Sequence, residues 1–419
     1  MMLMVPDSSS SLSGLGICLV GINYAPDSTG IAPYNTAMAA AFREAGADVH
    51  VITGIPHYPE WRVKDPAYSR GSRWAETLDG VEVTRVKHHV PAQSTLAGRA
   101  RMEASFLAGA TPIVRKDKSD IVIAVTPSLA GLAAGAYGRR GRPLGVLVQD
   151  LTGNAAGESG TTGGRASQAI AAYEYSLVRR ADQVGIITPQ FGKVLEEHGI
   201  VADRLVEIPN FTHITPSTAT RDEARVALGW PIDEYMVVHT GNMGMKQGLE
   251  SVVDAARHSA SENLGITFVL LGDGNQRAEL QSRAGTLATL RFVDPLGRDE
   301  YPLALAAADA LLLNERPGVR EMSLPSKLTS YTSATRPIIA AVEPGGITHS
   351  VIAADNAAVL VAPGDAVALT EAAVALKSDE EVSQSVAARA YSMHESRYSA
   401  GTARARYVAF AKLLASGGR

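Results

Sequence analysis

The chain has 419 residues, is 46% hydrophobic and 20% charged, and carries a formal net charge of −4. That length exceeds one ordinary core and suits two domains of about 200 residues each, and the near-average composition excludes collagen, coiled coil and a disordered chain. A small negative charge with no long run of one sign argues against a nucleic-acid binder, whose affinity rests on neutralising phosphates.

The first residues, MMLMVPDSSSSLSGLG, lack the basic start and apolar stretch of a signal peptide and read as a flexible leader over 1–14. The single cysteine, Cys18, sits in an apolar run and is expected in the core; a disulfide framework and a cysteine metal site are excluded. No apolar stretch reaches the about 20 residues that span a bilayer, so a cytoplasmic protein is expected.

Short β-branched apolar runs then alternate with alanine-rich helical stretches. In the first half they are 16–22, 48–53, 81–86, 120–126, 144–149, 183–188 and 204–208; in the second, 235–240, 266–271, 289–293, 309–314, 337–342 and 357–361. Continuous apolar runs between helices predict parallel strands buried on both faces, and two such sets predict an α/β protein with two doubly wound, Rossmann-like sheets. The stretch Pro209 to Thr220, rich in proline and threonine, reads as the linker. A last helix from Tyr398 to Ala415 carries Tyr407, Phe410, Leu413 and Leu414 near one face and is expected near the junction or crossing back to the first domain.

In open parallel sheets ligands bind in loops beyond the carboxyl ends of strands. The first run ends in a long loop, Gly21 to Gly30, before a helix carrying Tyr34, Met38 and Phe42; its length and Gly30 suit backbone approach to a ligand. The run at 235–240 opens into Gly241-Asn242-Met243-Gly244-Met245-Lys246-Gln247-Gly248, where glycines, a lysine and a fresh helix start suit a diphosphate. Gly272-Asp273-Gly274 follows the next run, and alone is only a turn. Leu324-Pro325-Ser326-Lys327-Leu328 places a lysine in the first turn of a helix, which the macrodipole disfavours unless an anion sits there. No D-x-D motif stands at a strand end and no histidine pair has ligand spacing, so no metal site is expected.

The order and spacing of these loops, with Pro56-His57-Tyr58-Pro59-Glu60-Trp61 and Gln149-Asp150, resemble glycosyltransferase family 4, and within it the colanic-acid type of exopolysaccharide glycosyltransferase. The resemblance runs from about Gly16 to the last helix. It implies a GT-B fold, two Rossmann-like domains facing across a cleft: residues 1–212 recognising the acceptor, 213–396 holding the nucleotide sugar, and 397–419 a C-terminal helix packing back on the first domain. It implies a retaining, metal-independent transfer from a GDP- or UDP-sugar to a glycan or lipid-linked acceptor, with no cofactor. Lys246 and Lys327 would stabilise the leaving diphosphate, and Asp150 would orient the acceptor hydroxyl or contact the transferred sugar; the plainer reading of Asp150 is that it caps the next helix. Gly30, Gly241, Asn242, Gly272, Gly274, Val293, Glu321, Ser326 and Leu328 would bind the donor; Asn23, Tyr24, Thr29, His57 and Tyr58 would line the acceptor site. Many members carry a carboxylate where Ser330 stands, so the ribose contact departs from their pattern.

Basic residues outnumber acidic ones between Trp61 and Lys118, among them Arg62, Lys64, Arg85, Arg99 and Arg101. Beside the helical piece 96–114 they suit either a solvated face or an anionic membrane at the inner face of the plasma membrane. Two other activities fit the nucleotide site: a sugar-nucleotide epimerase of the same fold, and a non-catalytic nucleotide-sugar-binding protein.

Overall fold

The computed structural model describes residues 11–92, 95–151, 164–319 and 324–417. Contacts divide the chain into two units, one running to residue 210 and resuming at 401, the other spanning 211–400.

The first unit is built on an eight-stranded sheet of β1 (Gly16–Val20), β2 (Asp48–Gly54), β3 (Arg73–Leu78), β4 (Val81–Val86), β5 (Ile121–Val125), β6 (Leu144–Val148), β7 (Gln183–Ile186) and β8 (Leu205–Glu207), in the order β3-β4-β2-β1-β5-β6-β7-β8. All neighbours are parallel except β3 and β4. The apolar runs form the parallel strands because helices cover both faces; β5 and β6 are buried along their whole length. Residues 73–78, absent from the predicted strands, pair antiparallel at the edge. They alternate half-buried and exposed positions, so no apolar run marks them. The available signal was Asp79-Gly80, which turns the hairpin with φ of 50° and 78°.

Residues 11–14 are not a loose leader. Leu12 is buried, and its N–H donates to the Ala45 carbonyl at 2.7 Å. Cys18 is buried as expected, and burial pushes its thiol pKa up. The last helix, Ala400–Gly417, buries Tyr407, Phe410 and Leu414 in this first unit. Gly145 in β6 permits that approach, because a methyl there would fall 2.9 Å from the Phe410 ring.

The second unit holds a six-stranded, all-parallel sheet: β9 (Tyr235–Thr240), β10 (Ile266–Leu271), β11 (Leu290–Val293), β12 (Ala310–Asn314), β13 (Ile338–Ala341) and β14 (Val359–Val361), ordered β11-β10-β9-β12-β13-β14. The order reverses between β9 and β12, so this is the topological switch point where a doubly wound sheet opens a crevice. An alanine-rich helix at Glu250–Ser261 packs Val252, Val253 and Ala256 on one face of the sheet. On the other, the helix Ser326–Ser333 contributes Leu328 and Tyr331. A capping box between Thr220 and Glu223 starts the helix Arg221–Leu228. From it the fully buried Arg225 reaches Asp309 at 2.6 Å, while Asp309 also accepts the Met236 N–H. No described helix is long and apolar enough to cross a membrane.

Candidate active site

At the switch point, β9 runs out into a loop whose Gly241 has φ of 102°, a conformation only glycine adopts freely. Facing it is Lys327, in the first turn of the helix Ser326–Ser333. The lysine's Cε and Nζ lie 3.9 Å from where a methyl on Gly241 would stand. Lys327 Nζ is 3.1 Å from His239 Nε2. Its pKa is pushed down to about 7, first by burial and against the attraction of Glu315. An amine buried beside helix N–H groups has little to hold its charge until an anion arrives.

The neighbouring loops are locked together by backbone. Met243 N–H donates to the Asp273 carbonyl at 2.8 Å and Gln276 N–H to the Met243 carbonyl at 2.9 Å. A methyl on Gly272 would fall 2.0 Å from the Gly241 carbonyl oxygen, and one on Gly274 2.4 Å from that of Met243. These two glycines are therefore required by loop-on-loop packing, whatever they do for a ligand. Asn242 is exposed between them. Lys246 is exposed in a short 3₁₀ turn, Met245–Gln247, rather than in the first turn of the following α-helix; its carbonyl accepts the Arg316 N–H at 2.8 Å.

Val293 ends β11 half-buried, and its carbonyl accepts the Gly272 N–H at 3.0 Å. Ser326 is exposed at the helix start. Leu328 departs from the expected donor contact: its side chain lies in the apolar core, and its N–H is spent on the Pro325 carbonyl at 3.0 Å. Glu321 lies outside the described residues.

Sequence reasoning missed several groups that shape this site. Asn314, at the end of β12, donates from Nδ2 to the Gln247 and Gly248 carbonyls, at 2.7 and 3.1 Å, and so ties the lysine-bearing turn to the sheet. Glu315 is buried and accepts the Thr348 hydroxyl at 2.8 Å. Thr240 joins the hydroxyls of Tyr301 and Tyr331 at 3.0 and 3.1 Å, and Ser330 lies 3.3 Å from Tyr301 Oη. The only sequence signal was polar residues in runs otherwise apolar.

In the first unit the long loop after β1 is tied down by its own polar groups. Asn23 donates to Asp27 at 3.3 Å, and the Asp27 carboxylate also takes the N–H groups of His57 and Tyr58. The two segments expected to line an acceptor site are thus brought together. Gly30 lies under Tyr58, whose ring is 3.1 Å from where its Cβ would stand. Thr29 is exposed and Tyr58 half-buried. Two expectations are corrected. Tyr24 is a core residue, only 3% exposed, and burial lifts its pKa to about 12. His57 is equally enclosed, with Nδ1 3.0 Å from the Ile55 carbonyl and its ring edge-on to His88 at 4.7 Å. Both side chains are packing elements in this unit. Asp150, just beyond β6, accepts the Leu151 N–H at 2.8 Å.

The basic lobe is exposed at Arg62, Lys64, Arg99 and Arg101, but Arg85 does not belong to it. That guanidinium is fully buried, paired with Glu76 and donating to the Gly54 and Ala25 carbonyls. Among the described residues, no group of three or more His, Cys, Asp or Glu side chains is arranged to hold a metal ion.

Comparison with known proteins fits this geometry. The family model described as Glycosyl transferase 4-like domain matches residues 29–210, and that described as Glycosyl transferases group 1 matches residues 234–379. A glycosyl transferase assigned to colanic acid biosynthesis in Escherichia coli (strain K12) is 30% identical over 328 residues, covering 75% of this chain and 80% of the relative. A 2-deoxystreptamine glucosyltransferase of Streptomyces kanamyceticus is 27% identical over 46% of this chain and 51% of its own. Among solved structures, sucrose-phosphate synthase from Thermosynechococcus elongatus superposes with a TM-score of 0.69 at 16% identity, over 93% of this chain and 96% of the other. Anabaena HepE in complex with UDP-glucose does so at 0.65 and 16% identity, over 96% of this chain and 100% of the other.

Proposed function

The chain belongs to the family 4 glycosyltransferases, with the two-sheet GT-B fold, and on that premise we propose that it moves a sugar from a nucleotide diphosphate sugar onto a glycan or lipid-linked acceptor in polysaccharide or glycolipid synthesis. The donor is a GDP- or UDP-sugar, the transfer retains the anomeric configuration, and no metal takes part. One observation carries the donor assignment: a half-buried lysine, Lys327, whose amine stands at a helix N-terminus against Gly241 at the switch point of the second sheet. A cation is unfavourable there until an anion sits before it.

In this reading Lys327 and Lys246, with backbone N–H groups at the helix starts, hold the diphosphate and stabilise its charge as the glycosidic bond breaks. The departing diphosphate oxygen takes the acceptor proton on the same face of the sugar. Gly241, Asn242, Val293 and Ser326 border the donor, while Gly272 and Gly274 hold the loops in place. The loop Asn23–Gly30 with Tyr58 forms the acceptor side of the first unit, and the exposed basic residues at 62, 64, 99 and 101 meet an anionic membrane that carries a lipid-linked acceptor.

The test incubates the protein with a panel of UDP- and GDP-sugars and an oligosaccharide or lipid-linked acceptor, following nucleotide release and product anomer by NMR. Release of nucleotide with a retained anomer, unaffected by EDTA, is expected. Sugar isomerisation without nucleotide release would mark an epimerase, and tight binding without turnover a binding protein. An inverted anomer would remove the stereochemical part, and loss of activity in EDTA the metal-free part. Anionic liposomes should sediment the protein in a salt-sensitive way; indifference to lipid and salt would remove the membrane surface.

A further inference from the structure

We infer that His239 is a positioning residue for Lys327, holding its amine in the diphosphate position before the donor arrives. This rests on the donor-site reading given above.

His239 is fully buried in β9, among strand neighbours that are apolar or hydrogen-bonded. An imidazole in such a strand costs desolvation that an aliphatic residue would not, so its two ring nitrogens need partners. Both have them. Nδ1 lies 3.1 Å from the carbonyl of Leu312 on the adjacent β12. A carbonyl can only accept, so with the proton on Nδ1 for Leu312 the lone pair of Nε2 is left for Lys327, and we assign that tautomer although the Asn242 backbone also acts on the ring. That lone pair faces Lys327 Nζ at 3.1 Å. Burial and the nearby Lys327 both drive the imidazole pKa down, which keeps it neutral and accepting.

The contact spans the switch point. His239 lies two residues before Gly241, and Lys327 is in the first turn of the helix Ser326–Ser333. Glu315, beyond β12, attracts the lysine electrostatically while its own Oε1 takes the Thr348 hydroxyl. A free lysine loses rotamer entropy when fixed; one already fixed on an imidazole loses less when the diphosphate binds.

Two substitutions separate the two nitrogens. In His239→Asn the amide N–H₂ can still reach the Leu312 carbonyl, but nothing reaches Nζ. In His239→Gln the longer amide can bring an oxygen to Nζ. UDP-glucose and GDP-mannose affinities would be measured by calorimetry for both variants, for Lys327→Met, and for the Asn variant combined with Lys327→Met. Whichever donor the wild type binds, H239N should weaken it about tenfold, the worth of one hydrogen bond to a charged group. H239Q should recover to within about twofold, and H239N should cost nothing further once Lys327 is gone. An equal loss in both lysine backgrounds, or no rescue by glutamine, would mean a merely structural histidine and overturn the inference. If K327M itself binds donor as wild type does, the donor-site reading fails; if K327M is weak and H239N is not, only the positioning fails. A ¹⁵N NMR assignment of the wild-type tautomer needs no variant: a proton on Nε2 instead of Nδ1 would also overturn it.

Discussion

The position of Lys327 predicts that donor binding takes up a proton. Its pKa in the empty site is held down to about 7, chiefly by burial. Below that pH the free enzyme already carries the ammonium, and affinity should be flat. Above it the amine is neutral and must be protonated for the diphosphate to be gripped, so affinity should fall by up to tenfold per pH unit. Between pH 7, where half the amine is already neutral, and pH 8.5 the loss is about sixteenfold, or about 1.6 kcal/mol at 1.36 kcal/mol per pKa unit. A sugar nucleotide is the right probe, because its doubly esterified diphosphate does not titrate near neutrality. Calorimetry at pH 8, in buffers of different ionisation enthalpy, should report close to one proton taken up per donor bound. Lys327→Arg should remove both slope and uptake, since guanidinium stays charged. No proton uptake in the wild type, or the same slope in the arginine variant, would refute the assignment of Lys327 as the diphosphate's titrating partner.

Other outcomes follow from packing. Gly272→Ala puts a methyl 2.0 Å from the Gly241 carbonyl at a φ of 137°. It should cost at least the about 1–3 kcal/mol of a strained backbone and weaken donor binding, read by denaturation and calorimetry on one sample. Asp309→Ala leaves the buried Arg225 without its carboxylate and should destabilise by about 3–5 kcal/mol, seen as a lower urea midpoint. Phe410→Ala removes a ring buried against β6 and should cost about 3–5 kcal/mol, measured in the same way. His88 has its pKa lowered to about 4 by burial, with its His57 neighbour adding to the effect. The unfolded chain therefore binds the extra proton between about pH 6.5 and 4, and stability should fall as pH falls through that window. His88→Phe should flatten the acid limb.

The fold was legible where chemistry is one-dimensional. Thirteen apolar runs mark the parallel strands because a strand buried on both faces has no polar alternation to hide it. β3 escaped for the opposite reason: an edge strand whose exposed positions are Arg73, Ala75 and Thr77 has no apolar run and carries only the Asp79-Gly80 turn as a signal. The loops proposed to hold the donor were legible as glycines and a lysine in local order. Which of those glycines serve packing was not, because the atom that excludes a side chain at Gly272 belongs to Gly241, thirty-one residues earlier. Tyr24 and His57 show the same limit. Their loops meet at Asp27, but a polar aromatic in a loop does not announce whether it points outward or into the core.

The half-buried setting of Lys327 and the anion capture proposed for it are reconciled by its proton. A permanently charged group at that helix start would oppose the macrodipole in every empty molecule, whereas an amine that can release its proton remains buried as a neutral donor to His239. The same imidazole that accepts from it cannot compete for the charge, being neutral and pinned on Leu312. In the proposed function the diphosphate supplies the reason for the charge at the moment it arrives, and the site would then meet the leaving group with a cation in place. An arginine there would stay charged without a donor, so Lys327→Arg should bind donor with no pH dependence yet lower the stability of the empty second unit relative to the donor-bound one, a difference that unfolding with and without sugar nucleotide can measure.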